Sequence, residues 1–170
     1  MSTTDAALPP FTEIVERHGA TVWRVCRAVV GPDAADDAWS ETFLAALRAY
    51  PDLTPTTNLE AWLVTVAHRR AVDVVRRERR TVPAGPDPSD LAPPARTAPD
   101  PAARAADTEV WTRVAALPER QRLALAYHHL GGLTFVEVAA LVGGTPDAVR
   151  RAAADGLATL RRTYGSEEDA

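Results

Sequence analysis

Trp62, Arg69, Asp73, Arg76 and Arg80 recur at intervals that close on one line of an α-helix, at roughly 100° per residue. Arg70 and Arg77 flank that line, and Asn58 stands just ahead of it. A guanidinium binds phosphate oxygens and an indole stacks on an unpaired base, so this row is equipped to hold single-stranded or melting nucleic acid. The opposite side carries Leu63, Ala67, Ala71 and Val74, flanked by Leu59 and Val66. Residues 58–80 hold six arginines against three carboxylates, and no Gly or Pro interrupts them. A solvated amphipathic helix with its Trp in the core is the competing reading, because charge runs are usually only solvated faces.

The other reactive side chains point to less. Asp36 and Asp37 are an adjacent carboxylate pair, but they open a helix, where its dipole favours negative charge. Cys26 is the only cysteine; it lies on an apolar helical face and excludes both an intramolecular disulfide and a CxxC zinc site. His18 falls on or beside the same stripe, as a packed ring. His128 and His129 are neighbours and so diverge by about 100° on a helix, with no further His or Cys close in sequence. No phosphate-cradling glycine loop and no nucleophile–base arrangement is present. An enzyme is the poorest fit, and no cofactor, metal or small-molecule substrate is expected.

The elements that must position these residues are helical throughout. Phe11, Ile14, Val15, Val22, Val25, Cys26 and Val29 predict a first helix, from Pro9-Pro10 to Val30, stopped at Gly31-Pro32. A second runs from about Ala34 to Tyr50, with Trp39, Phe43, Ala46, Leu47 and Tyr50 on a broad apolar face. Asn58 is placed to cap the arginine helix. Residues 81–105 contain seven prolines and no helical period, which reads as an extended linker. Beyond it, Val110, Trp111, Val114 and Leu117 mark a short helix ending at Pro118. A second helix carries Leu123, Leu125, Ala126 and Leu130 up to Gly131-Gly132. Thr134 and Glu137 have capping-box spacing, and Gly143-Gly144, Thr145 and Pro146 make a turn, a cap and a first helical position. The last helix runs to about Tyr164, with Val149, Ala153, Leu157 and Leu160 inward. A short helix, a glycine turn and a longer helix make a helix-turn-helix, whose second helix enters a major groove N-terminus first. Its outward residues there are Thr145, Asp147, Arg150, Arg151 and Ala154.

The fold class is therefore all-α, with two small helical domains, 9–80 and 106–164, joined by the linker 81–105. With 19 Arg and no Lys, the formal net charge is still −4, so any nucleic-acid binding comes from local patches and not from bulk charge. The N-terminus lacks the charged and apolar regions of a signal peptide, and no apolar run has the length of a bilayer span. A cytoplasmic protein is expected.

The run W-L-x-x-x-A-x-x-x-x-x-D-x-x-R-R-x-x-R, here Trp62, Leu63, Ala67, Asp73, Arg76, Arg77 and Arg80, resembles regions 2.3 to 2.4 of extracytoplasmic-function sigma factors. D-D-A-W-S-E-T-F-L, residues 36–44, is similar to region 2.2. L-P-E-R-Q-R, L-T-F-x-E-V-A, V-G-G-T, A-V-R-R and G-L-A-T-L-R-R, between Leu117 and Arg162, are similar to region 4. The resemblance implies a factor that binds core RNA polymerase and directs initiation at promoter DNA. By it, Asp37, Ser40, Glu41, Phe43 and Leu44 dock on the polymerase clamp. Asn58, Trp62, Arg69, Arg70, Arg76, Arg77 and Arg80 read and melt the minus-ten element, and Thr145, Asp147, Arg150 and Arg151 read the minus-thirty-five element. An anti-sigma factor is an implied partner. Many members carry Asn where this chain has Arg69. Ala152, Ala153, Ala154 and Asp155 stand where members commonly place basic residues, so weak DNA binding by the second half alone is expected. Two other functions fit the same residues. One is a sigma-like adaptor or competitor on polymerase that does not read promoters. The other is a free-standing helix-turn-helix regulator, which the two-module layout disfavours.

Overall fold

Pro9 and Pro10 fix an extended entry into α1, Phe11–Val30, which leaves at Gly31. α2, Ala35–Ala49, places Asp36 and Asp37 in its first turn. Pro51 has no N–H to continue the ladder, so the chain tightens into a single 3-10 turn, Tyr50–Asp52. α3 spans Leu59–Arg80, and Asn58 caps it as the sequence predicts, its Oδ1 accepting from the Ala61 N–H at 3.2 Å. This computed structural model describes residues 8–80 and 109–165, with the side chains at 78–80 and 164–165 left aside. The proline-rich stretch 81–105 lies outside the described residues.

α1, α2 and α3 close around Ile14, Val22, Cys26, Ala38, Phe43, Ala46, Leu63, Ala67 and Val74. Cys26 is fully buried among them, the small core residue that its place on the stripe implied. Three hydrogen bonds set how the helices lie. The Trp39 Nε1–H donates to the Gly19 carbonyl at 2.9 Å. The Trp23 Nε1–H donates to Asp36 Oδ1 at 2.9 Å. The Tyr50 hydroxyl donates to the Pro9 carbonyl and ties the start of the chain to the end of α2.

Residues 109–115 form α4. α5, Glu119–Leu125, follows Pro118 and runs on into a widened π turn, Ala126–Leu130. There the Gly131 N–H reaches back five residues to the Ala126 carbonyl at 2.9 Å. Apolar spacing predicted one α-helix to Leu130; the π turn adds one residue that spacing cannot signal. α6, Phe135–Val142, starts with both bonds of the predicted capping box. Gly143 and Gly144, at φ 83° and 96°, take a left-handed conformation that side chains disfavour. The Thr145 hydroxyl accepts from the Ala148 N–H at 3.2 Å, opening α7, Pro146–Gly165. A Cβ at Gly156 would stand 2.8 Å from Leu125 Cδ1 and 3.2 Å from Gln121 Cβ, so this glycine lets α5 and α7 approach closely.

The second core is shared. Ala124, Tyr127, Leu133, Val138, Ala139, Val149 and Ala153 of the C-terminal helices pack with Val25 of α1 and Val64 of α3. Gly156→Val should therefore lower unfolding stability by about 1–3 kcal/mol through overpacking at the α5–α7 crossing. Thr134→Ala should cost about 1 kcal/mol through the lost cap. Urea titrations of both variants check these values.

Candidate nucleic-acid interface

α3 has three working sides. Leu63, Ala67, Ala71 and Val74 are buried, toward α1 and α2. Ala61, Val64 and His68 fall on an adjacent side; Val64 is fully buried in the shared core and Ala61 packs against it. Arg69 and Arg76 stand exposed on the third side. Among the described residues neither is held in a salt bridge.

The predicted arginine row is thus partly assembled. Trp62, at its start, is half-buried and packs against the N-terminal core with Leu59, leaving part of the indole at the surface. Asn58 is exposed beside it while serving as the cap. Arg70 is half-buried and reaches Asp73 at 3.5 Å, so the one acid in the row is engaged by a flanking arginine. Arg77 leans the other way, toward α2. Its two terminal nitrogens donate to the two oxygens of Glu41 at 2.5 and 3.2 Å, and this carboxylate holds its pKa above the usual value. Two residues read from sequence as members of different surfaces are therefore partners. Arg80 lies on α3, but its side chain is outside the described residues.

On α2, Asp37 is exposed and Ser40 and Glu41 are half-exposed. Leu44 and Leu47 are 55% and 49% exposed, an apolar pair one turn apart on the surface. The sequence reading placed Leu47 on the broad apolar face of α2, and the structure leaves that part of the face at the surface. It also places Phe43, grouped with the docking residues by resemblance, in the core at 6% exposure, with ring centroids of Trp39 and Phe11 at 4.7 and 6.3 Å. Phe43 can support that surface from beneath but presents little of it.

On α7, Val149, Ala153 and Gly156 face inward and Asp147, Arg150, Arg151, Ala154 and Asp155 face out, with Thr145 exposed at the cap. Arg150 pairs with Asp147 at 3.1 Å and its guanidinium lies 5.6 Å from the Phe135 ring centroid. His128 stacks on Phe135, centroids 3.9 Å apart, and its Nδ1–H donates a hydrogen bond to the Leu133 carbonyl oxygen at 2.7 Å. Sequence reasoning missed this His128–Phe135–Arg150 stack, because its members come from three elements.

It also missed the contacts between the two halves. Tyr127 is wholly buried, and its hydroxyl lies 2.6 Å from His68 Nδ1. Burial pushes the Tyr127 pKa up, so its phenol keeps its proton to donate. The Arg27 guanidinium carbon lies 5.1 Å from the Trp23 ring centroid and 5.2 Å from that of Trp111. A Cβ at Gly131 would stand 2.9 Å from Val64 Cγ1.

An all-helical chain with an exposed arginine helix in one half and a helix-turn-helix in the other defines a two-part binder of nucleic acid. Comparison with known proteins says which. Residues 14–81 match the family described as sigma-70 region 2, and residues 107–160 match sigma-70, region 4. The RNA polymerase sigma factor CarQ of Myxococcus xanthus is 31% identical over 96% of this chain and 94% of its own length. The ECF RNA polymerase sigma factor SigC of Mycobacterium tuberculosis is 31% identical over 81% of this chain and 72% of its own. Two solved complexes share the fold. CnrH with the cytosolic domain of CnrY aligns at TM-score 0.62 and 23% identity, over 92% of this chain and 88% of that one. RpoE with the anti-sigma factor NepR, from Bartonella quintana, aligns at 0.65 and 16%, over 89% and 94%. The chain belongs to the sigma-70 family, in its extracytoplasmic-function group. It is a non-enzymatic factor that binds core RNA polymerase and promoter DNA and directs transcription initiation through regions 2 and 4.

Burial, and then the neighbouring Arg69 charge, lower the pKa of His68, so the folded chain favours the neutral ring that accepts from Tyr127. The stability linked to this ring is complete above the unfolded value of about 6.5 and is lost as pH falls through the lowered folded value. In His68→Gln the urea midpoint should fall less steeply below about pH 6.5. A smaller slope should remain from His129, which burial and His128 also lower.

Proposed function

We propose that residues 9–80 form the polymerase-docking and minus-ten-reading unit of this sigma factor. In this reading, residues 106–164 form the minus-thirty-five-reading unit, and 81–105 is the linker that threads the polymerase cleft. The observation that carries the assignment is the third side of α3. It is the only long side of that helix not spent on packing among the described residues, and it presents Arg69 and Arg76 beside the open edge of Trp62. The arginines track phosphates, and the indole and Asn58 meet a base that leaves the stack. Extruding a base costs a few kcal/mol, which stacking and phosphate contacts offset. No bond is made or broken: the factor works by binding the opened form better than the closed duplex.

Docking on the clamp falls to α2, where Leu44 and Leu47 are exposed next to Asp37, Ser40 and Glu41. The Arg77–Glu41 pair links this surface to the reading helix. On α7, Arg150 and Arg151 are the cations at the groove-entering end, with Thr145 and Asp147. Ala154 and Asp155 are also exposed, which fits a module that adds to a polymerase-held complex more than it binds alone. Because one structural neighbour was solved with an anti-sigma factor, we assign this chain a partner of the same class. Work on polymerase and DNA supports a cytoplasmic location in this reading; among the described residues no helix is long and apolar enough to cross a membrane.

Run-off transcription on genomic DNA with core polymerase tests the assignment. The wild-type chain should give discrete starts that share two spaced elements. Trp62→Ala with Arg76→Ala should reduce them at least tenfold while the variant still co-purifies with core enzyme. Leu44→Asp with Leu47→Asp should instead abolish co-purification without shifting the unfolding midpoint. Retained starts in the first variant, or retained core binding in the second, would overturn the corresponding role.

A further inference from the structure

The Phe135 ring meets two side chains from other elements. The His128 imidazole, from the π turn, stacks on it with centroids 3.9 Å apart and 25° between the planes. The Arg150 guanidinium, from the start of α7, lies 5.6 Å from the ring centroid. The ring stands on a fixed frame. Phe135 is the first residue of α6, whose start is held by the complete capping box of Thr134 and Glu137. His128 is tied down as well, because its Nδ1–H donates to the Leu133 carbonyl. On α7 itself, Asp147 takes one terminal nitrogen of Arg150 at 3.1 Å.

The Arg150 side chain is thus 62% exposed and yet held by two contacts, one carboxylate and one ring. Its neighbour Arg151 is exposed too, and among the described residues it enters no salt bridge. The difference matters at the end of a helix that enters a groove. A phosphate contact works from many directions and carries no sequence information. Pairing with both O6 and N7 of a guanine demands one plane and one direction of the guanidinium. A free arginine must give up rotamers to reach that geometry, whereas a held one has already lost them. Asp147 engages Nη1 alone, so the other N–H donors of the fork remain for a base.

We propose that Phe135, with His128 stacked on it, is a positioning residue for promoter readout: it aims Arg150 at a guanine of the minus-thirty-five element, while Arg151 tracks phosphate. This deepens the reading of α7 as the minus-thirty-five reader and rests on it. Sequence preference then depends on a ring at the start of α6 that itself meets no base.

Run-off transcription by core polymerase with the full-length chain tests this, on promoters carrying each base pair in turn at every position of the upstream element. The wild-type chain should prefer guanine at one position, roughly five- to hundredfold, the range of a bidentate contact. Arg150→Ala should erase that preference. Phe135→Leu, which keeps apolar volume in the core, and His128→Ala should each weaken it about threefold or more at the same position, leaving preferences elsewhere unchanged. Phe135→Tyr, which keeps the ring, should retain it. Positioning is overturned if folded Phe135→Leu keeps the preference, if its loss is equal at all positions, or if Phe135→Tyr loses as much. The part of His128 is overturned if His128→Ala keeps the preference. The guanine assignment is overturned if Arg150→Ala lowers initiation on every promoter alike, which would make Arg150 a phosphate contact. If wild-type starts show no upstream preference at any position, the reading of α7 itself fails and the inference falls with it. Should circular dichroism show that Phe135→Leu does not fold, His128→Ala decides by the same criterion.

Discussion

The structure depends on how α3 divides its circumference. One side, from Leu63 to Val74, completes the core of α1 and α2. A second, through Val64 and His68, completes the core of the C-terminal helices. What remains for a ligand is a single strip, and that strip holds Arg69 and Arg76. A helix packed on two sides is rigid, so its remaining side chains project from a fixed frame. That is the requirement for meeting a phosphate row whose spacing is set by the nucleic acid and not by the protein.

Sharing a core also answers a problem of size. Each module is small, and small modules bury a modest fraction of their apolar surface. The C-terminal helices are rich in alanine and enclose few large side chains, with Tyr127 and Leu133 the largest that are fully buried there. Tyr127 sits at the boundary with the other module, against His68, and Leu133 belongs to the core that the two modules share. The best-packed part of the C-terminal half is thus the part that contacts its neighbour.

Much of this was legible in the sequence. Helix starts followed from Asn58, Thr134 and Thr145, each of which accepts the expected backbone hydrogen bond. Stops followed from Gly31 and Gly143, both at positive φ. The outward and inward residues of α7 came out as its periodicity predicts. What failed to show was whatever depends on a partner distant in sequence. Periodicity finds one apolar stripe and cannot say that a helix has two; Val64 and His68 look like edge residues until Tyr127 arrives. Phe43 and Leu47 lie on one broad apolar face, and only the position of α1 decides that the first is buried and the second is not. Arg77 sits in a run of like charges, and its pairing with Glu41 is settled by the angle between α2 and α3. The site residues were therefore found as a set, while their division between packing, pairing and exposure was not.

The π turn at Ala126–Leu130 has a consequence for how this chain can vary. An inserted or deleted residue is tolerated in most helices only near their ends, because it rotates everything beyond it by about 100°. A π turn is one such insertion already absorbed, with Tyr127 seated and Gly131 against Val64 as the result. Losing one residue between Ala126 and Leu130 would restore an ordinary helix and rotate Gly131 and the helices beyond it by about 100° relative to α5, breaking both the fit against Val64 and the α5–α7 crossing. Descendants of this sequence should thus be free to change length in the proline-rich stretch yet be held to a fixed count across these five residues, which gives a length constraint that no single side chain carries.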